Sequence, residues 1–223
     1  MGGFKNKSNN IIYKRDLFTL IVSHISKCCE RMRSDCKDGS CVPLFNHEDK
    51  ISNRLVEQYL NNNPFQLRFI LQMPVNYDDK SDTHKGRPDI AVGLSDWLGH
   101  PKKFYYIEAK RIDGNRPLNK KYVTEGVFRF ADSSSPKYPS YRGKNIMLGY
   151  VVQAIDVVKN VGEIDKLQRE LLVGVSVGNM EVIFHDKKGF SQYKCLYQTS
   201  SNFSIELTHL FYDFSDIMEE LPA

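Results

Sequence analysis

This sequence has little that would carry it into a membrane. No apolar run in its 223 residues approaches the roughly 20 needed to span a bilayer. Met1 to Asn10 are polar and lack the apolar segment of a signal peptide, so a cytoplasmic location is expected. The chain has five cysteines, an odd number with no export signal beside it, which argues against a disulfide framework. There is no glycine-rich nucleotide-binding loop, so any ATP-driven motor that works with this chain must be a separate protein. Neither sign of charge dominates, with 31 Lys and Arg against 27 Asp and Glu, a net +4. No internal repeat and no low-complexity segment is present.

What is present reads as an ordinary globular protein. Hydrophobic residues make up 41% and charged residues 26%, and the length suits one domain with a sizeable core. Cys28, Cys29, Cys36 and Cys41 fall close together, with His24 one helical turn before Cys28. A zinc site from His24, Cys28, Cys36 and Cys41 has the donors but not the paired CxxC spacing, so buried or free thiols are expected instead.

The chemistry concentrates in two short β-rich runs, Arg87-Pro88-Asp89-Ile90-Ala91-Val92 and Phe104-Tyr105-Tyr106-Ile107-Glu108-Ala109-Lys110-Arg111. Turn formers between them (Gly93, Ser95, Asp96, Gly99, His100, Pro101) make the pair a β-hairpin with a longish loop. Residues two apart on a strand share a face, which puts Glu108 and Lys110 on one side and Ala109 on the other. A carboxylate on one strand and a Glu-x-Lys on the next can converge on a divalent cation, the arrangement of metal-dependent phosphodiester hydrolysis. The helix expected over about Glu48 to Asn61, capped by Asn46, adds a third acid. At 100° per residue Glu48, Ile51, Leu55 and Tyr59 fall within about 80° of one another, so Glu48 lies on the apolar stripe. Two readings fit that position: a favourable contact with the helix's own N-terminus, or a place at the edge of the metal site.

Pro88-Asp89, eighteen intervening residues and Glu108-Ala109-Lys110 resemble the PD-(D/E)xK nuclease superfamily. The Glu-x-Lys ends an aromatic and β-branched run, a helix with an inward glutamate precedes the Asp, and an amphipathic helix follows. The resemblance implies an α/β fold, a restriction-endonuclease-like mixed central β-sheet flanked by helices, here with an extra N-terminal helix. It implies Asp89 and Glu108 as ligands of Mg²⁺, with Mn²⁺ as a substitute and the Ala109 carbonyl completing the shell. Glu48 would hold a second metal or a metal-bound water. Lys110 would orient or deprotonate the attacking water, a task helped by a pKa lowered through burial. Lys121-Tyr122-Val123, Arg129-Phe130 and Gly149-Tyr150-Val151 are similar to strings in small stand-alone members of bacterial anti-phage and anti-plasmid defence systems.

In chain order, residues 1–45 read as an N-terminal addition, with a flexible leader (1–10), a helix from about Tyr13 to Arg33 and a loop from Asp35 to Pro43. Residues 46–160 read as the catalytic core and 161–223 as strands completing the sheet, all one domain. Leu67 to Val75 is expected as the first core strand, and Asn76 to Gly86 as a polar loop in which His84 stands near Asp89. Helices are expected at about Lys120 to Ala131 and about Asn145 to Lys159. The second rests on the apolar spacing of Met147, Tyr150, Val151, Ala154, Ile155 and Val158, with Gln153 a weak flanking candidate. A short helix near Glu163 to Arg169 leads to an apolar strand from Leu171 to Val177. Further strands follow at Met180 to His185, Tyr193 to Tyr197 and Phe203 to Phe211, then an acidic tail.

Charge sharpens the expected partner. From Lys102 to Lys144 eleven Lys and Arg face four acids, a local +7 that leaves the remainder at about −3. A polyanion lying beside the active-site strand would meet Arg111, Arg116, Lys120, Lys121, Arg142 and Lys144. Lys137, Tyr138, Tyr141 and Arg142 interleave bases with tyrosines, a pattern able to grip phosphates and stack on bases. A solvated charged surface is the competing reading for both stretches. The expected partner is nucleic acid, DNA favoured over RNA, with no membrane, and a homodimer would suit double-strand cutting. Two other functions remain open: a non-catalytic module that binds nucleic acid or a partner, and a nuclease subunit gated by a separate helicase or ATPase.

Overall fold

A computed structural model describes residues 17–97, 100, 103–134, 136–186, 189–199 and 203–219. The expected leader, the start of the first helix, and Gly99 and Pro101 of the hairpin loop lie outside these residues. The elements in chain order are α1 (Leu17–Lys37), β1 (Leu44–Phe45), and α2, which is α-helical over Glu48–Arg54 and π-helical over Leu55–Leu60. Next come β2 (Leu67–Leu71), β3 (Val75–Asp78), β4 (Thr83–Gly86), β5 (Ile90–Leu94) and β6 (Tyr105–Ile112). α3 runs from Arg116–Lys121 through a π-helical Tyr122–Val127 to Phe128–Ala131. Then follow β7 (Lys144–Val151), α4 (Val157–Leu171), β8 (Val175–Val177), β9 (Glu181–His185), β10 (Phe190–Thr199), β11 (Ser204–Asp213) and β12 (Met218–Glu219).

A mixed eight-stranded sheet in the order β2-β5-β6-β7-β11-β10-β8, with β9 also on β10, forms the centre. β2, β5 and β6 run antiparallel in succession, whereas β7 lies parallel to both β6 and β11. Helices cover both faces. α1 and α2 pack with Ile107, Ala109, Leu148 and Tyr150 into one core. α3 and α4 pack with Tyr106, Ile112, Met147 and Phe211 into the other. Alternation along β6 therefore sends Glu108 and Lys110 to the α3 side, as the strand period requires. The large mixed sheet, its flanking helices and the N-terminal helix are as expected. No helix among the described residues is long and apolar enough to cross a membrane.

Several local expectations fail. The stretch expected as a helix over Asn145 to Lys159 is the strand β7 followed by a bend, and α4 begins only at Val157. β7 sits between two parallel neighbours with seven consecutive buried residues, so it lacks alternation and its apolar run mimics a helix stripe. Gln153 is consequently an exposed residue of the bend, on no helix. α4 also absorbs the short helix expected near 163–169, and the strand expected from Leu171 shrinks to Val175–Val177. The expected loop over Asn76 to Gly86 is instead the β3–β4 hairpin, paired Val75–Gly86, Tyr77–His84 and Asp78–Thr83. Positive φ at Asn76 (54°) and Asp82 (57°) supplies its irregular backbone, using residue types that tolerate that region. Asn46 is not the cap of α2. His47 holds that place, without a side-chain cap bond, and Asn46 is tied to Arg111 instead.

Candidate active site

Three elements meet at one end of the sheet. Asp89 stands one residue before β5, whose Ile90 pairs with Ile107 of β6, so it lies level with the Glu108–Lys110 segment. The Ala109 amide donates to Asp89 Oδ2 at 2.7 Å. Glu48 is the first residue of α2; its Oε2 accepts from the Arg111 amide at 3.3 Å. α3 closes over the other side, where a Cβ added at Gly126 would lie 2.5 Å from Met147 Cε and 3.6 Å from Lys110 Cγ.

Lys110 Nζ is the point on which these oxygens converge. It lies 2.8 Å from Glu48 Oε1, 3.0 Å from Glu108 Oε1, 2.7 Å from the Ala109 carbonyl and 3.7 Å from Asp89 Oδ2. All four residues expected as metal ligands thus surround one cation, and that cation is an ammonium. The donor set is the hard oxygen set that Mg²⁺ takes, with Lys110 standing in at its centre. Among the described residues, no group of three or more His, Cys, Asp or Glu side chains is arranged, as it stands, to hold a metal ion. Three of the separations are those of N–H···O bonds and the fourth, to Asp89, is an ion-pair distance, all wider than the ~2.1 Å of Mg²⁺ coordination.

Glu108 is fully buried and has further partners. Arg129 Nη1 donates to its Oε1 at 2.5 Å, and the Tyr138 hydroxyl donates to its Oε2 at 2.8 Å. Tyr138, read from the sequence either as a base-stacking candidate or as part of a plain surface loop, is buried beneath the β3–β4 hairpin. A Cβ at Gly86 would stand 2.7 Å from its ring, so only glycine fits there. Arg129 and Tyr138 are the site residues that sequence reasoning missed as such. Their separation from Glu108, 21 and 30 residues, has no local signature.

The electrostatics follow from burial against pairing. Burial by itself would lower Lys110, but Glu108, Asp89 and Glu48 outweigh it and hold the ammonium above the ordinary lysine range. The expected lowering of its pKa is therefore reversed. Burial, reinforced by Asp89, pushes Glu108 up to about 7 against the pull of Lys110, Arg129 and Tyr138. Asp89 is raised as well, again chiefly by burial, against the attraction of Lys110 and the Ala109 amide. Both partners of the Glu108–Lys110 pair shift upward, Glu108 because burial outweighs the pull of the cations and Lys110 because three acids outweigh its burial.

A cleft of about 240 Å³ opens beside Lys110, lined by His47, Glu48, Asp49, Arg111, Leu118, Lys121 and Glu125. Of the six bases expected to hold nucleic acid, Arg111 and Lys121 reach it. Arg111 is partly committed, donating to the Asn46 carbonyl at 2.8 Å. Lys120 is exposed on α3, and Arg116 is spent on Glu170 at 2.8 Å. Arg142 lies over the Tyr141 ring, and Lys144 lies over Phe18 and pairs with Glu206 at 3.5 Å. Lys144 is five residues upstream of Gly149, which pairs with Lys110, so it sits ~17 Å away along the strand. All five cysteines are free thiols, outside any disulfide, and His24 Nε2 is bonded to the Leu60 carbonyl at 3.0 Å. No family model, curated protein or solved structure matches this chain.

Proposed function

We propose that this chain is a metal-dependent nuclease of the PD-(D/E)xK type, with a restriction-endonuclease-like fold, hydrolysing phosphodiester bonds of nucleic acid, DNA in the first place. The observation that carries this reading is the convergence of Glu48, Asp89, Glu108 and the Ala109 carbonyl on one cationic centre at the floor of a cleft. Asp89 on one strand, Glu-x-Lys on its antiparallel neighbour and a glutamate on the preceding helix support the same reading. Mg²⁺ or Mn²⁺ would be held by Asp89, Glu108, the Ala109 carbonyl and Glu48; when bound it supplies charge neutralisation at phosphorus and an acidified water. Lys110, kept protonated, serves as a fixed positive charge that orients water and stabilises the pentavalent phosphate, not as the base. Arg111 and Lys121 lie where the flanking phosphates would pass. A role in anti-phage or anti-plasmid defence rests on the resemblance alone.

One observation favours a second reading, a subunit gated by a helicase or ATPase partner. With Lys110 caged by three acids and Glu108 bound to Arg129 and Tyr138, a metal can enter only once these contacts rearrange. Cleavage of supercoiled plasmid in Mg²⁺ or Mn²⁺ beside Asp89→Ala tests both. Nicking that needs the metal and vanishes in the variant supports the nuclease. Equal cutting by both proteins refutes the ligand assignment, and no cutting by either favours the gated subunit.

A further inference from the structure

The β3–β4 hairpin leaves the sheet at the same end as the candidate site, joining β2 to Asp89. It is anchored on the site's own floor. Gly86 lies against the Tyr138 ring, whose hydroxyl holds Glu108, and Asn76 Nδ2 donates to the Lys137 carbonyl at 2.7 Å. Two strand residues further out, ~7 Å from Gly86, Tyr77 and His84 face each other across the hairpin, rings 5.2 Å apart and inclined at 60°. Tyr77 is 54% exposed, among the more exposed large hydrophobic residues described. Between this ring pair and Asp89 the chain carries Lys85 and Arg87, both exposed and paired with no acid among the described residues. The acids of the hairpin, Asp78, Asp79 and Asp82, are gathered at its far turn, where the Tyr77 hydroxyl donates to Asp82.

Resting on the nuclease reading above, we infer that the Tyr77–His84 pair is a nucleobase-stacking platform and that the substrate crosses it as a single strand. An aromatic ring half open to solvent, followed by two exposed cations and then a catalytic carboxylate, matches the needs of a flexible polyanion with flat side groups. The bases stack on the ring, while Lys85, on the other face of β4, and Arg87, past the strand's end, draw the phosphates toward Asp89. Only unstacked bases offer a free π-face, so a duplex gains nothing from the platform. A cross-strand aromatic pair also steadies a two-stranded hairpin, and the test separates that role from stacking.

The measurement is fluorescence anisotropy with the full chain, without divalent metal and at fixed salt. One probe is a labelled oligothymidylate and the other a sugar–phosphate strand of equal length lacking bases. Wild type is expected to bind the base-bearing strand about tenfold more tightly. Tyr77→Phe keeps that ratio. Tyr77→Ala brings it close to one while leaving the affinity for the abasic strand unchanged. If Tyr77→Ala retains the ratio, or weakens both strands equally, the platform is refuted and the pair is a hairpin staple. Equal, tight binding of both strands by wild type refutes the platform alone. If wild type binds neither strand, the platform is refuted, and plasmid cleavage alone decides the nuclease reading.

Discussion

Lys110 cannot be replaced without leaving three acids facing one another. Glu108 is wholly buried and Lys110 nearly so, and removing one partner of a buried pair strands the other charge. Lys110→Met is expected to lower stability by about 3–5 kcal/mol in urea denaturation, and to abolish any metal-dependent cleavage. Glu108 makes the opposite argument through pH. Its folded pKa of about 7 exceeds its ordinary value of 4.5, so between those values the folded chain holds a proton that the unfolded chain has released. Stability therefore falls as pH rises through that window, by about 3 kcal/mol. Glu108→Gln removes this dependence: from pH 5 to 8 the variant should gain on wild type by that amount. Parallel stability curves would show that Glu108 titrates normally and that its three donors balance its burial.

At the scale of elements, packing decides where local pattern misleads. The Asp89 strand, the Glu-x-Lys strand and the Glu48 helix were legible because each carries a charge in an apolar run, which periodicity places on a face. β7 was not, because a strand buried on both faces shows no alternation, and neither were Arg129 and Tyr138, whose roles depend on contacts across the fold. Glycines give a test of the corrected assignment. In β7, a Cβ at Gly149 would stand 2.5 Å from the Phe211 ring, so Gly149→Ala should destabilise by about 1–3 kcal/mol. In α4, a Cβ at Gly162 meets nothing within 4 Å, and Gly162→Ala should stabilise by about 0.5–1 kcal/mol. Thermal denaturation of the two variants reads opposite signs if 144–151 is a strand and 157–171 a helix. A helix over 145–159 would instead make Gly149→Ala neutral or stabilising.

For the molecule as a whole, the distribution of charge matters more than its sum. The basic excess between Lys102 and Lys144 looks like one surface in the sequence, yet the fold divides it. Lys121 lines the cleft beside Lys110, whereas Lys144 sits at the far end of β7 and is occupied by Glu206 and the Phe18 ring. Sequence sums cannot see this, because residues 23 apart have been sent one to the α3 wall of the cleft and the other to the far end of β7. If nucleic acid binds at the cleft, each phosphate contact releases counterions, and losing one lowers the slope of log affinity against log salt by about one. Lys121→Glu should therefore weaken binding and flatten that slope. Lys144→Glu should leave the slope unchanged and act only on stability, through its repulsion of Glu206 and its lost contact with Phe18. The same slope loss from both variants would mean that the bound strand runs the length of β7, placing the binding surface across the sheet end to end instead of at the Lys110 cleft.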